Sequence, residues 1–348
     1  MSDPPDPQRI LIIKPSSLGD IVHALPVPRL LRARWPHAHI AWLINDNFAD
    51  LLRGHPAIDA VLPFDRRHFA GAFFNPVATV ALARFSEQLA QEKFDLVLDL
   101  QGLFRSGWLA LRSGAAVRIG PSDAREMAAL FYTDVYPSNR MRQHAVDRYL
   151  AAARLLGCQG PVIFDLNCDQ HDRAAVRTML GGIEKYAVLM PGTNWETKRW
   201  PARRFAALVA PLQEKLGLES VVIGAADAAP LAQQIPSALN LVGKTTLRQL
   251  VALLRNAQLV IANDSGPMHI AAALGRPLIA LHGSTDPQLT GPWHRPDSVL
   301  RLDLPCAPCF SRYCSHRTCL EALDEKHVLS LAEQQIAFSD NPSNLARV

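Results

Sequence analysis

Twice along this chain, short and wholly apolar runs lead into loops bearing Gly, Ser or Asp and then into helical patterns. That repeated alternation constrains the fold more than any single residue does. In the first half, Ile10 to Ile13, His39 to Ile44, Ala60 to Phe64 and Asp95 to Leu100 read as strands. Asp20 to Arg34, Phe48 to Arg53, Val77 to Gln91, Leu103 to Arg112 and His144 to Leu156 read as helices, with Gly157 as a stop signal for the last. A second set follows, with strands at Tyr186 to Met190, Val221 to Gly224, Leu239 to Val242, Leu259 to Ala262 and Pro277 to His282. Its helices are Ala202 to Leu216, Ala228 to Ile235, Leu247 to Asn256 and Pro267 to Leu274, and a further helical pattern covers Asp324 to Phe338. Strands alternating with helices in this way form parallel sheets covered on both faces. The expected class is therefore α/β, with two Rossmann-like domains facing across a cleft.

The 348 residues are enough for two domains of ordinary size. The polar, aperiodic stretch from Asp165 to Arg173 marks the join, placing the domains at 1–165 and 182–325. Residues 326–348 form a C-terminal helix and tail with the option of packing back on the first domain. No apolar stretch reaches the roughly 18 residues of a membrane span, and the Pro-rich start lacks the basic and apolar regions of a secretory signal. A cytoplasmic protein is expected. The excess of 36 basic over 32 acidic side chains is too slight to argue for nucleic acid. Arg29, Arg32 and Arg34, the pair Arg66 and Arg67, and Arg105, Arg112, Arg118 and Arg125 crowd the first half. They fit either a solvated face or a surface for an anionic acceptor and acidic lipid headgroups.

The segment Lys14-Pro-Ser-Ser-Leu-Gly-Asp20-Ile-Val-His23 runs from a strand through a tight loop into a helix that opens on a carboxylate. In an open α/β sheet, ligands gather at the carboxyl ends of the strands. Asp20 there can cap its helix, or it can take a proton from a hydroxyl nucleophile. His23 lies three positions on, close enough to meet Asp20 or an acceptor, and equally able to be a structural histidine.

In the second half, Asn263-Asp264-Ser265-Gly266-Pro267-Met268-His269 turns from an apolar strand into a helix. Free amides and the positive helix end would suit a phosphate, and a simple N-cap by Asp264 or Ser265 is the alternative. The loop from Pro191 to Pro201, with Thr193, Lys198 and Arg199, and the loop Gly283-Ser-Thr-Asp-Pro287 point to the same end of the sheet. Together they could hold a diphosphate. No Walker sequence and no strand followed by Gly-x-Gly-x-x-Gly is present, which argues against ATP hydrolysis and dinucleotide binding. Four of the six cysteines, Cys306, Cys309, Cys314 and Cys319, fall within fourteen residues. They read as buried or surface thiols or as a structural metal site, four thiolates or three with His316.

Taken together, the Lys14 to His23 segment, Lys198-Arg-Trp-Pro201, Asn263 to His269 and Gly283 to Pro287 resemble the landmarks of the lipopolysaccharide heptosyltransferase family, glycosyltransferase family 9. They follow one another in the family's order over most of the chain. The resemblance implies a GT-B enzyme that moves heptose from ADP-heptose to the Kdo- and heptose-bearing inner core of Gram-negative lipopolysaccharide. It implies inversion without a catalytic metal or other cofactor, and Asp20 as the general base. Acceptor contacts are then expected from Ser17, His23, Arg66, Arg67, Gln101 and Arg125, and donor contacts from Thr193, Lys198, Asp264, Ser265, Gly266 and His269. Asp227 is the nearest candidate for the acidic residue that family members place near the donor ribose. The expected partners are ADP-heptose, a Kdo-lipid A or heptosylated acceptor and, transiently, the cytoplasmic face of the inner membrane, with the protein a monomer. A nucleotide-sugar-binding module without catalysis, or a GT-B transferase or epimerase acting on another sugar nucleotide, are the alternatives.

Overall fold

The computed structural model describes residues 6–65 and 75–339, and of Ser339 only the backbone. The chain divides into two units, the first ending at Asn167 and the second starting at Cys168. In the first, β1 (Arg9–Ile13), β2 (His39–Asn45), β3 (Ala60–Phe64), β4 (Leu96–Asp99), β5 (Val117–Pro121) and β6 (Asp134–Tyr136) form one sheet in the order β3-β2-β1-β4-β5-β6. All of its pairings are parallel. In the second, β7 (Tyr186–Met190), β8 (Glu219–Val222), β9 (Leu239–Asn240), β10 (Leu259–Asn263), β11 (Leu278–Leu281) and β12 (Val299–Leu300) form another, ordered β12-β11-β10-β7-β8-β9. Its pairings are parallel too. Renumbered within its own unit, the second order is the first, so each unit is a Rossmann-like doubly wound sheet.

Parallel strands covered by helices on both faces must be apolar throughout, and β1 shows why the alternation in sequence works. Ile10, Leu11, Ile12 and Ile13 have no exposed surface at all, and β-branched side chains suit the pleated backbone. β1 pairs with β2 through Ile10 opposite Ile40 and with β4 through Ile13 opposite Asp99. In the second unit, Trp200, Phe205, Leu208 and Leu212 cover Leu189, Ile261 and Ile279. Leu320, Leu323, Val328 and Ala332 join that same core, so the helix Glu325–Ser339 packs on the second sheet.

Several expected elements change form. The single helix at Asp20 to Arg34 is two, Leu18–Ala24 and Pro26–Arg34, because Pro26 has no N–H to carry the ladder onward. The expected helix at Phe48 to Arg53 is a 3-10 segment, Asp46–Leu52, and Ala228 to Ile235 shortens to Ala229–Ala232 after a 3-10 turn. β5, β6 and β12 and the helix Gln170–Leu180 had no counterpart in the sequence reading.

β5 depends on a close approach that only glycine permits. A Cβ on Gly120 would sit 2.1 Å from the ring of Tyr132, whose hydroxyl donates at 2.6 Å to the buried Asp99. Gly120→Ala is expected to destabilise the first unit by about 1–3 kcal/mol or more through overpacking. A chemical denaturation midpoint unchanged from wild type would refute that.

Candidate active site

In a sheet ordered 3-2-1-4-5-6, neighbouring connections leave strands 1 and 4 toward opposite faces, and the crevice at that switch point receives ligands. Both units place their polar clusters there.

In the first unit the cluster follows β1. Ser17 starts the helix Leu18–Ala24, and Asp20 in its first turn reaches back so that Oδ2 accepts from Ser17 N at 3.2 Å and from Ser17 Oγ at 2.9 Å. Asp20 therefore does cap its helix. Its other oxygen, Oδ1, accepts from the hydroxyl of Tyr149 at 2.9 Å and lies 3.9 Å from Lys14 Nζ. Lys14 is buried, fixed by its backbone between Leu43 and the indole N–H of Trp42, and its ammonium lies 4.9 Å from the centre of the Tyr149 ring.

These contacts set the charge of the site. Burial works to raise the Asp20 pKa, but the Lys14 ammonium and the hydrogen bonds from Ser17 and Tyr149 outweigh it and hold the carboxyl below its ordinary value. Lys14 is itself lowered, by burial first and by Arg148 and Arg125, against the pull of Asp20 and Asp99. Tyr149 is pushed well up by burial and by the Asp20 charge, so its phenol keeps the proton it donates. With its side chain 36% exposed, Asp20 retains an open side and unused lone pairs toward solvent. It can accept a proton from a bound hydroxyl and is ionised to do so at neutral pH.

A pH prediction follows from the direction of the shift. Activity that depends on ionised Asp20 should hold as pH falls until it passes below the ordinary carboxylate value of 3.8. The stability this carboxylate lends the fold is likewise present above its unfolded pKa and lost as pH falls through the folded one. Tyr149→Phe and Lys14→Met each remove a stabiliser of the charge, so the acid limb of kcat/KM should move upward in both. A limb that stays in place would separate these residues from Asp20.

The other expected acceptor residues differ in their surroundings. His23 is buried and its ring stands edge-on to that of His144 at 5.1 Å. Gln101 and Gly102 donate their backbone N–H groups to Asp99 Oδ1 at 2.8 and 3.1 Å, which fixes the loop after β4. The Gln101 side-chain Oε1 is buried and has no hydrogen-bond partner among the described residues. Arg125 donates its backbone N–H to Gly102 O at 2.9 Å, and its guanidinium is near enough to act on Lys14. Asp99 is fully buried, and burial raises its pKa despite the bonds from Tyr132, Ser106 and the loop. Arg66 and Arg67 lie outside the described residues.

In the second unit, Asp264 stands at the end of β10 with almost no exposure, beside the loop after β7. Its Oδ2 receives Lys198 Nζ at 2.8 Å and Thr285 Oγ1 at 2.6 Å. Thr193 Oγ1 donates to its carbonyl at 3.0 Å, and Arg199 Nε donates to Thr193 O at 3.0 Å. Asn263 ties the two loops by accepting from Trp200 N at 3.0 Å and donating to Pro191 O at 2.8 Å. Three strand-end loops, after β7, β10 and β11, are thus knitted around one carboxylate.

Burial would raise Asp264, but nearby positive charge from His282, Lys198 and His269 keeps it below its ordinary value. His282 is lowered by its own complete burial, which leaves it neutral near pH 7 and makes Lys198 the standing cation. Lys198 also lies 4.5 Å from the centre of the Trp195 ring, whose neighbourhood includes Arg312 at 4.7 Å. Ser265 is the N-cap of the helix Gly266–Ala273 and makes no side-chain cap bond, and its Oγ is buried with no hydrogen-bond partner among the described residues. The first amides of that helix therefore face the cluster unsatisfied by a cap, as an anion site requires. His269 is buried in the helix's first turn. Asp227 is exposed on the 3-10 turn Ala226–Ala228 after β8, and a Cβ on Gly192 would lie 3.0 Å from the Ala228 Cβ, so that turn approaches the loop after β7.

Sequence reasoning places Thr285 in a loop at this end of the sheet without linking it to Asp264, and it misses Lys14, Tyr149 and His282 as members of the two clusters. Lys14 ends a strand directly before the loop, a signal that was available. Tyr149 is 129 residues from Asp20 and sits on the buried face of the helix Ala145–Leu155, where an aromatic reads as core.

Comparison with known proteins bears on these clusters. The model of glycosyltransferase family 9 (heptosyltransferase) matches residues 82–319. Lipopolysaccharide heptosyltransferase 1 of Pseudomonas aeruginosa is 31% identical over 97% of this chain and 96% of its own length. Lipopolysaccharide heptosyltransferase 2 of Escherichia coli is 28% identical over 84% of this chain and 88% of its own. Among solved structures, the E. coli heptosyltransferase WaaC with ADP-2-deoxy-2-fluoro heptose superposes with a TM-score of 0.73 at 28% identity, covering 94% of this chain and 99% of WaaC. The α/β class with two Rossmann-like units, of GT-B type, agrees with the sequence reading.

Proposed function

The chain belongs to glycosyltransferase family 9, the heptosyltransferases, and we propose that it carries heptose from an ADP-heptose donor to the Kdo- and heptose-bearing inner core of lipopolysaccharide, with inversion and with Asp20 as general base. The observation that carries this reading is the state of Asp20: ionised by Lys14, oriented by Ser17 and Tyr149, and open on one side.

In this reading the first unit, 1–165, holds the acceptor and the second, 182–325, the nucleotide sugar. An acceptor hydroxyl gives its proton to Asp20 as its oxygen bonds to the anomeric carbon, while the bond from that carbon to the diphosphate breaks on the opposite side. The negative charge that develops on the diphosphate meets Lys198, the hydroxyl of Thr193 and the amides that open the helix Gly266–Ala273. Those groups can themselves offset the charge of the leaving diphosphate, so added Mg2+ or Mn2+ should leave the rate unchanged. Ser17, His23, Gln101, Arg66, Arg67 and Arg125 remain the acceptor contacts of this reading, and Asp227 the ribose contact. Because the acceptor is a lipid, the enzyme would work as a monomer transiently at the cytoplasmic face of the inner membrane. Among the described residues no helix is long and apolar enough to cross a membrane.

The test is heptose transfer from ADP-heptose to Kdo2-lipid A and, separately, to its monoheptosylated form. Greater likeness to heptosyltransferase 1 than to heptosyltransferase 2 makes Kdo2-lipid A the expected acceptor. Transfer to neither acceptor, with ADP-heptose binding retained, would return the chain to the class of binding modules.

A further inference from the structure

We propose that Cys306, Cys309, Cys314 and Cys319 form a tetrathiolate site for one thiophilic divalent cation of the Zn2+ class, which braces the loops of the second unit that carry Lys198 and Thr285. The inference rests on the cysteine segment alone and is independent of which sugar the enzyme transfers.

All four side chains are free thiols and all four line one cavity of about 160 Å³, with His316 beside them. Six cysteines occur in the chain, so convergence of the four that are close in sequence onto one cavity leaves only Cys158 and Cys168 outside it. The backbone is shaped around the sulfurs. Phe310, directly after Cys309, and Arg317, three residues after Cys314, are both in the left-handed region at φ 52° and 41°. Residues with a Cβ are uncommon there and persist where the surroundings hold them. At the second turn the reward is visible, since Arg317 N donates to Cys314 Sγ at 3.4 Å. A backbone N–H directed at a cysteine sulfur is the kind of contact that orients a thiolate ligand and offsets its charge.

The walls of the cavity are also anchored. Cys309 N and Phe310 N both donate to Ser284 O, at 3.0 and 2.7 Å, and Ser311 O accepts from Thr197 Oγ1 at 2.7 Å. A Cβ on Gly283 would lie 3.0 Å from Cys319 Sγ, so that sulfur is pressed against the loop after β11. Arg317 adds ion pairs to Glu196 and Glu321 at 3.1 and 3.2 Å. Cys309 and Cys319 are therefore held against the loop of Ser284 and Thr285, and Ser311 and Arg317 between them against the loop of Glu196, Thr197 and Lys198.

Among the described residues no three ligating side chains yet surround a common point, so binding must turn the thiols inward. Three of them are exposed and Cys319 is half-buried, which leaves their side chains room to rotate. Four thiols binding one divalent cation release four protons to solvent and leave a site of net charge −2, and metal sites commonly close only as the metal arrives. Arg317, its guanidinium paired with Glu196 and Glu321, lines the cavity and directs its backbone N–H at the Cys314 sulfur.

The experiment uses the full chain, reduced and stripped of metal, titrated with Co2+ and then Zn2+. A thiolate-to-cobalt charge-transfer band with the visible absorption of tetrahedral cobalt is expected, saturating at one equivalent and displaced by Zn2+. The double variant Cys314→Ser/Cys319→Ser should lose the band, and Cys168→Ser should keep it. Should the double variant fail to fold, thiol labelling of the wild type decides: four thiols protected by Zn2+ and released by a chelator support the site. No charge-transfer band, a band unchanged in a folded double variant, or thiols equally reactive with and without Zn2+ would overturn it.

Discussion

Asp20→Asn is expected to lower heptose transfer by about 10²–10⁴-fold, the usual worth of a positioned general base, with donor binding unchanged. The substitution is close to a pure test of basicity because the neighbours can still be satisfied. The amide oxygen can accept from Ser17 N and Oγ, as Oδ2 now does, and the amide nitrogen can donate to the Tyr149 hydroxyl, which accepts as readily as it donates. The capped start of the helix Leu18–Ala24 is thereby kept. What disappears is the site for the acceptor's proton and the negative partner of Lys14. Burial already lowers the Lys14 pKa, and loss of that partner lowers it further. The measurement is single-turnover transfer beside nucleotide binding by calorimetry and a thermal melt. Transfer within severalfold of wild type would remove Asp20 from the base role, whereas loss of donor binding together with transfer would point to a structural effect.

How far such a site is readable in sequence depends on whether its parts are local. The loop from Lys14 to Asp20 is local: an apolar strand, a glycine and a carboxylate in the first helical turn state their geometry within ten residues. The turn from Asn263 to His269 is equally local, and both fell at the switch points of their sheets. Tyr149 and Thr285 are not. Each reaches its carboxylate only after the sheet has formed, and a buried Tyr on an amphipathic helix or a Thr in a polar loop carries no mark of that partnership. The fold shows the same division. Strands buried on both faces, such as β1 and β7, are apolar runs that sequence displays, while β12 is two residues long and exists only by pairing with β11. At Pro26 the helical pattern of the sequence continues while the hydrogen-bond ladder does not.

Those loops carry the second large effect. Lys198→Met should reduce transfer by about 10²–10³-fold, the scale for losing one group that stabilises a developing negative charge, and should weaken nucleotide binding as well. It should also cost stability, because Asp264 is left nearly buried with Thr285 as its remaining side-chain hydrogen-bond donor. Removing one partner of a buried ion pair typically costs about 3–5 kcal/mol, a large part of a domain's stability of roughly 5–15 kcal/mol. Lys198 keeps 16% of its side chain exposed, so the lower end of that range is expected. The pH dependence should weaken with it. With Lys198 present the Asp264 pKa is depressed, and the stability it contributes is present above the unfolded value and lost as pH falls through the folded one. Without the ammonium, burial opposes ionisation with less against it, and the depression of Asp264 shrinks while His282 and His269 remain. The loss of stability in acid should then be smaller than in wild type. The double variant Lys198→Met/Asp264→Asn separates the two consequences, since a neutral pair restores most of the stability but not the transfer. If Lys198→Met melts as wild type does and shows the wild-type pH trend, the ion pair contributes nothing to the fold. If the double variant regains transfer, Lys198 serves only to neutralise Asp264 and does not meet the donor.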